Sequence, residues 1–278
     1  MIKTSSPNTN DVTSPLKILI MGAPGARKTT LGLQFPNVHV LDCDRNMDGP
    51  LRFLRSGFKD PNLRVDIAAP AANLSFIYNP IRFNDDGSPR PIWECYDEVL
   101  DECKRMANDS KKQYANVKTL FLDSLSHVNE FIIRKVMKMK GSDMAFQTNW
   151  WTEFKSYAYS LLVANLEGTN KTILCSAHEI KLVEADKDKI TQQRVLGYEP
   201  FFQGKVGDTI GAFFTDVWRL EGRPAAGGRV ETILQTTRTN YCDTLKNSLG
   251  MPAEIIIDNG TNNYIGYKAI EPYLKGRI

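Results

Sequence analysis

Short apolar runs bounded by polar residues or glycine recur along the first two-thirds of the chain. Residues 16–21, 38–44, 117–124 and 171–178 are of this kind. Such runs, too short for helices and bounded by turn signals, predict strands buried on both faces. Between them, residues 93–108 place Trp93, Tyr96, Val99, Leu100, Cys103 and Met106 on one face at helical spacing. Helices also fit 125–137 and 150–166, separated by the polar, glycine-containing stretch 138–149. Residues 57–91, rich in Pro, Asn, Asp and Gly, predict loops around a strand at 74–78. After a long charged segment, 179–209, the pattern turns to strands at 216–220, 230–236, 253–257 and 264–269, with Gly227-Gly228 and Asp258-Asn259-Gly260 as hairpin turns. The expectation is an α/β fold, a mostly parallel sheet flanked by helices with antiparallel strands at the C-terminal end. A polar tail over 1–14 precedes a single unit over 15–278, and no internal repeat is visible.

Composition narrows the class without naming a chemistry. The 278 residues are 42% hydrophobic and 24% charged, as expected of a soluble chain with a full core. No apolar run approaches the ~18–20 residues that cross a bilayer. The N-terminus lacks the apolar stretch of a signal peptide, so a cytoplasmic location with no membrane partner is expected. Five cysteines show neither metal-ligand spacing nor a disulfide framework, and the three histidines lie far apart, so no zinc site is expected. A net charge of +3 permits a polyanionic partner without arguing for one.

The chemistry is concentrated after the first strand. Gly22-Ala23-Pro24-Gly25-Ala26-Arg27-Lys28-Thr29-Thr30 has the form of a phosphate-binding loop. Backbone N–H groups of such a turn, with the helix N-terminus behind it, cradle phosphates. Lys28 is placed to reach the β- and γ-phosphates of a nucleotide and the Thr29 hydroxyl to ligate Mg²⁺. One position departs from the pattern: Arg27 stands where glycine is usual. Its side chain either crowds the phosphates, lies outward, or adds a contact.

Three later strands end in polar residues, and ligands of open α/β sheets lie at the carboxyl ends of strands. Asp123 is placed to hold Mg²⁺. Asp44 is placed to take a proton from water, with Asp42 as its rival. His178 is placed to hydrogen-bond a terminal phosphate. Each also has a plain structural reading, as a helix cap, a turn former or a surface residue.

The order of these motifs resembles the RecA-like recombinase ATPase core, and more narrowly the small phage-encoded RecA-like proteins of recombination and single-strand annealing. The resemblance covers roughly 15–270. It implies a RecA-like P-loop NTPase core with ATP and Mg²⁺ as cofactors. Lys28 and Thr29 match the Walker A pair, Asp123 the Walker B acid, Asp44 the catalytic acid and His178 the γ-phosphate sensor. It further implies single-stranded DNA as partner, a ring or filament of copies, a single-strand-binding protein as a further partner, and a bacterial host cytoplasm. Lys246 resembles a basic residue that reaches the neighbouring subunit's nucleotide. Residues 138–149 match the first DNA-binding loop by position and 179–208 the second. Candidate DNA contacts are Lys138, Lys140, Lys181, Arg194, Phe201, Phe202 and Lys205. Basic groups follow phosphates and rings stack on bases in such grooves, but acids interleave with these lysines, and the rings either stack or belong to the core. Arg27, and an Asp where the family has Glu, imply slow hydrolysis. The alternatives are an ATP-binding regulatory or assembly module that touches no DNA and, more distantly, a small-molecule kinase.

Overall fold

The structure, a computed structural model, describes residues 15–56, 77–143, 145–185, 193–260 and 264–278. The predicted tail at 1–14 and most of the predicted strand at 74–78 lie outside them. Among the described residues, nine strands join in one sheet: β1 (Lys17–Gly22), β2 (Val38–Asp42), β3 (Ile77–Pro80), β4 (Thr119–Asp123), β5 (Thr172–Ala185), β6 (Gln193–Pro200), β7 (Asp216–Ala225), β8 (Arg229–Gln235) and β9 (Glu254–Asp258). Their order is β3-β2-β4-β5-β1-β7-β8-β9, with β6 added to the outer part of β5. The pairs from β3 through β7 are parallel, whereas β7–β8, β8–β9 and β5–β6 are antiparallel. The expected mostly parallel sheet with antiparallel C-terminal strands is present.

Parallel strands require crossover connections, and the helices that supply them cover both faces. The helices are α1 (Lys28–Gly32), α2 (Asp48–Ser56), α3 (Ile92–Ala107), α4 (Leu125–Met139), α5 (Trp151–Tyr159), α6 (Lys205–Thr209) and α7 (Glu271–Leu274). Alternate residues of each strand point to opposite faces. Leu19, Met21, Leu120, Leu122 and Cys175 pack with α3, α4 and α5, while Ile18, Ile20, Val40, Phe121 and Leu174 pack with Leu31, Leu54 and Leu274 on the other face. Both layers are dry, which is why these strands read as unbroken apolar runs.

The structure differs from the pattern in four places. The helix of 150–166 contains a wider π turn at Ser160–Asn165. Tyr264 makes a single bridge to Asp258 and is followed by a 3-10 turn and α7, not by a strand over 264–269. Helix α2 was not expected at all. Most consequential, β5 does not stop at His178. It continues to Ala185 and pairs antiparallel with β6 to form a hairpin, where a loop was expected.

Candidate nucleotide site

Because β1, β2, β4 and β5 run parallel, their carboxyl ends meet at one rim of the sheet, and the polar residues that follow them line one cavity. Its volume is about 380 Å³, and its walls include the turn 24–30, Asp44, Asn46, Asp123, Ser124 and His178. The turn begins at Gly22, where an added Cβ would lie 2.6 Å from the Leu220 carbonyl oxygen of β7. A side chain there would push the loop off the sheet.

Arg27 is the N-cap of α1 and holds φ 67°, ψ 15°, the left-handed region that glycine occupies at low cost. The backbone therefore holds, with arginine in place, a conformation that favours glycine. The side chain lies outward: its guanidinium carbon is 4.2 Å from the centre of the Phe53 ring and its Nε is 3.9 Å from Asp258 Oδ2. Of the three readings of Arg27, this geometry fits the outward one.

Lys28 is buried, and its Nζ donates to the carbonyls of Gly22 at 2.8 Å and Ala23 at 2.9 Å. Burial pushes the ammonium's pKa down, and the charges of Asp123, Glu179 and Asp44 pull it back up. An ammonium resting on two loop carbonyls is poised to turn to an anion. Thr29 Oγ1 donates to Asp123 Oδ2 at 2.7 Å, and the Ser176 hydroxyl donates to Asp123 Oδ1. Burial pushes the Asp123 carboxyl up, and the hydrogen bonds from Ser176 and Thr29 oppose that. A hydroxyl and a carboxylate side by side at the wall of a phosphate-sized cavity form an oxygen donor set that suits Mg²⁺.

The two acids at the end of β2, Asp42 within the strand and Asp44 after it, differ in their surroundings. Asp42 is fully buried, with Tyr78 OH donating to Oδ2 at 2.7 Å and the Arg45 N–H to Oδ1 at 2.8 Å. Asp44 reaches the cavity, with the Asn46 N–H donating to its Oδ1 at 3.1 Å. Burial, reinforced by the Asp123 charge, pushes the Asp44 carboxyl above the ordinary range. His178 lines the same cavity, and its Nδ1 is buried with no hydrogen-bond partner. Burial, together with the Lys28 charge, lowers the pKa of that imidazole.

Two residues of this rim were not singled out from the sequence. Ser176 holds Asp123, and His127 stands 3.0 Å from Ser124 Oγ and 3.8 Å from Asp44 Oδ2. The signal for His127 was its spacing, four residues after Asp123 in the first turn of α4, which returns a side chain to the strand's end.

The remaining candidates are not gathered here. Lys246 lies beside Val217, near the start of β7 and at the opposite end of the sheet, where its Nζ donates to Gly211 O at 2.7 Å. Phe202 is 4% exposed and packs against Phe154, so its assignment to a stacking surface is corrected: this ring is core. Phe201 is half-buried; its N–H donates to His178 O at 2.6 Å and its carbonyl accepts from Ser126. Lys138 and Lys140 are exposed at the end of α4; Lys138 faces Trp93 and Lys140 pairs with Glu153. Trp150 is buried. Lys181 is exposed on β5, and Arg194 falls opposite Glu184 in the hairpin register. Lys205 opens α6. The side chains of Arg194 and Lys205 lie outside the described residues.

The sheet, the turn and the paired Thr29 and Asp123 define the class as a P-loop NTPase. A family model described as an AAA domain matches residues 14–247, and the chain belongs to that AAA domain family of P-loop ATPases. No curated protein matches the sequence. Among the described residues, no helix is long and apolar enough to cross a membrane.

Proposed function

We propose that this protein binds ATP with Mg²⁺, hydrolyses it slowly, and couples nucleotide state to single-stranded DNA in recombination or strand annealing, as a RecA-like protein of the phage type. The observation that supports the coupling is the continuity of β5. It carries His178 in the phosphate cavity and, three residues further in the same strand, the exposed Lys181 on the hairpin.

In this reading Lys28 leaves the carbonyls of Gly22 and Ala23 for the β- and γ-phosphates. Thr29 and Asp123 hold Mg²⁺, which when bound supplies positive charge to the phosphate oxygens. Asp44 orients a water and takes its proton as the water oxygen bonds to the γ-phosphorus and the bond to the bridging oxygen breaks. His178 donates to the γ-phosphate, and its loss after hydrolysis releases the strand that bears the hairpin. Copies associate in a ring or filament with nucleotide between them, and Lys246 serves a neighbour only after leaving the Gly211 carbonyl.

The near balance of acids and bases on the hairpin, with Phe202 in the core, favours a second reading: a nucleotide-binding regulatory or assembly module. ATPase rate with and without single-stranded DNA separates the two, combined with DNA affinity measured against salt. Stimulation by DNA and an affinity that falls steeply with salt are expected. A folded protein with no DNA affinity at low salt, with or without ATP, leaves the second reading.

A further inference from the structure

The chain has three histidines, far apart in sequence. Folding brings two of them together: β5 carries His178 into the cavity wall beside Asp44, and the first turn of α4 carries His127, whose ring centre is 6.1 Å from that of His178 and whose Nδ1 is 3.8 Å from Asp44. One donor atom from each of the three residues lies within 4.8 Å of the other two. We propose that Asp44, His127 and His178 bind a divalent transition ion of the zinc class, at a site distinct from the Mg²⁺ site of Thr29 and Asp123.

Four observations carry this. The donors are two imidazoles and one carboxylate, a set that suits Zn²⁺, Co²⁺ or Ni²⁺, whereas Mg²⁺ takes oxygen ligands. The three residues come from three separate elements of the rim, so the cluster is positioned by the sheet. His178 Nδ1 is buried and has no hydrogen-bond partner, which leaves a lone pair or an N–H without use in the protein alone. The Asn46 N–H holds Asp44 Oδ1, leaving Oδ2 facing His127 at 3.8 Å. Bonds of about 2.0–2.1 Å around a tetrahedral ion set its ligand atoms about 3.3 Å apart. The present spacing, 3.8 Å for one pair and at most 4.8 Å for the others, therefore closes by about 0.5–1.5 Å, which side-chain rotation supplies. Three protein ligands leave one position for water or a phosphate oxygen, the form of an open zinc site. Occupancy would also take the Asp44 lone pair, so the metal-bound protein would lack the base assigned to hydrolysis.

The remaining strong ligand types offer little competition. His39 is buried against Glu102, and all five cysteines are free and buried. Metal binding by itself does not depend on the nucleotide reading.

The test is a titration of untagged, nucleotide-free protein with Co²⁺, followed by visible absorption, and with Zn²⁺, followed by calorimetry. One ion per chain is expected, retained in excess Mg²⁺. His127→Ala and His178→Ala should each weaken binding at least tenfold. Lys28→Ala and Asp123→Asn, which keep all three ligands, should still bind one ion per chain, with an affinity altered only through the charge removed. Circular dichroism checks each variant, with His127→Gln and His178→Gln as substitutes if an alanine fails to fold. Absence of saturable binding overturns the proposal. So does affinity unaltered in both histidine variants, or displacement of the ion by Mg²⁺. ATP titration of the same protein reports on the nucleotide proposal separately.

Discussion

Arg27 tests whether the backbone or the side chain of this position matters to the loop. A non-glycine residue in the left-handed region costs on the order of 1–2 kcal/mol. Against that, the guanidinium over Phe53 contributes about 0.5–1 kcal/mol, and the approach to Asp258, at 3.9 Å and beyond hydrogen-bond distance, adds little. Arg27→Ala loses both contacts and keeps the backbone cost. Arg27→Gly loses the same contacts, removes the backbone cost and adds about 0.4–1 kcal/mol of unfolded-state entropy. The glycine variant should therefore be more stable than the alanine variant by about 0.5–1 kcal/mol, with Arg27→Asn between them, since Asn tolerates this region. Urea unfolding of the three variants measures the order. Alanine equal to or above glycine would refute the argument, because the positive φ would then cost no more than the unfolded-state entropy that glycine adds. Since the side chain lies outward, ATP affinity in Arg27→Gly should stay within about threefold, or ~0.6 kcal/mol. A tenfold loss would show the guanidinium at work in the cavity. If Arg27 restrains turnover, the glycine variant hydrolyses faster; if it slows, Arg27 is a working part of the loop.

Lys28→Ala should weaken ATP binding by about 2–4 kcal/mol, read by titration of a fluorescent nucleotide, and unchanged affinity would remove the loop from the site. Asp44→Asn should keep ATP binding and lose hydrolysis; normal turnover in that variant would move the base to another group. As the acting base with a raised pKa, Asp44 should make the rate climb with pH through a window above that of an ordinary carboxylate, and Asp44→Asn should abolish that limb. Burial pushes the Asp42 carboxyl up to about 6, so between about pH 4 and 6 the folded state holds more protons than the unfolded and stability falls as pH rises. Asp42→Asn should flatten that fall in urea unfolding across the window, and an unaltered slope would assign it to other acids. Phe202→Ala should cost about 3–5 kcal/mol of stability, as for a ring lost from a core, whereas Lys181→Ala should leave stability intact and lower the salt slope of DNA binding by about 1.

The parts of the fold visible in the sequence are those where one periodicity dominates. Strands β1, β2 and β4 are dry on both faces, so their apolar runs allow one interpretation, and α3 shows its stripe because one face meets solvent. The hairpin was hidden by a different balance. Across 179–182 the residues alternate Glu, Ile, Lys, Leu, which is the period of a strand, but the charges and glycines of 179–209 outweighed it. The burial pattern explains why: Ile180, Leu182 and Leu196 are exposed large apolar residues, so no dry core marks this stretch. Helix α2 carries an internal proline and only nine residues, too little for a periodic signal.

The site was visible in a more limited sense. A parallel sheet guarantees that residues following its strands meet at one rim, so the gathering of the loop, Asp44, Asp123 and His178 follows from topology alone. What each side chain does there depends on partners that sequence does not order. Asp42 and Asp44 are two residues apart on the same strand end, and the pattern treats them alike. Tyr78, from the neighbouring strand β3, separates them: its hydroxyl occupies Asp42 and leaves Asp44 as the carboxylate facing the cavity. The same logic explains why a search for metal-ligand spacing passes over Asp44, His127 and His178. Spacing motifs detect ligands held on one turn or one helix face. These three come from the turn after β2, from α4 and from β5, and the rim of the sheet brings them together.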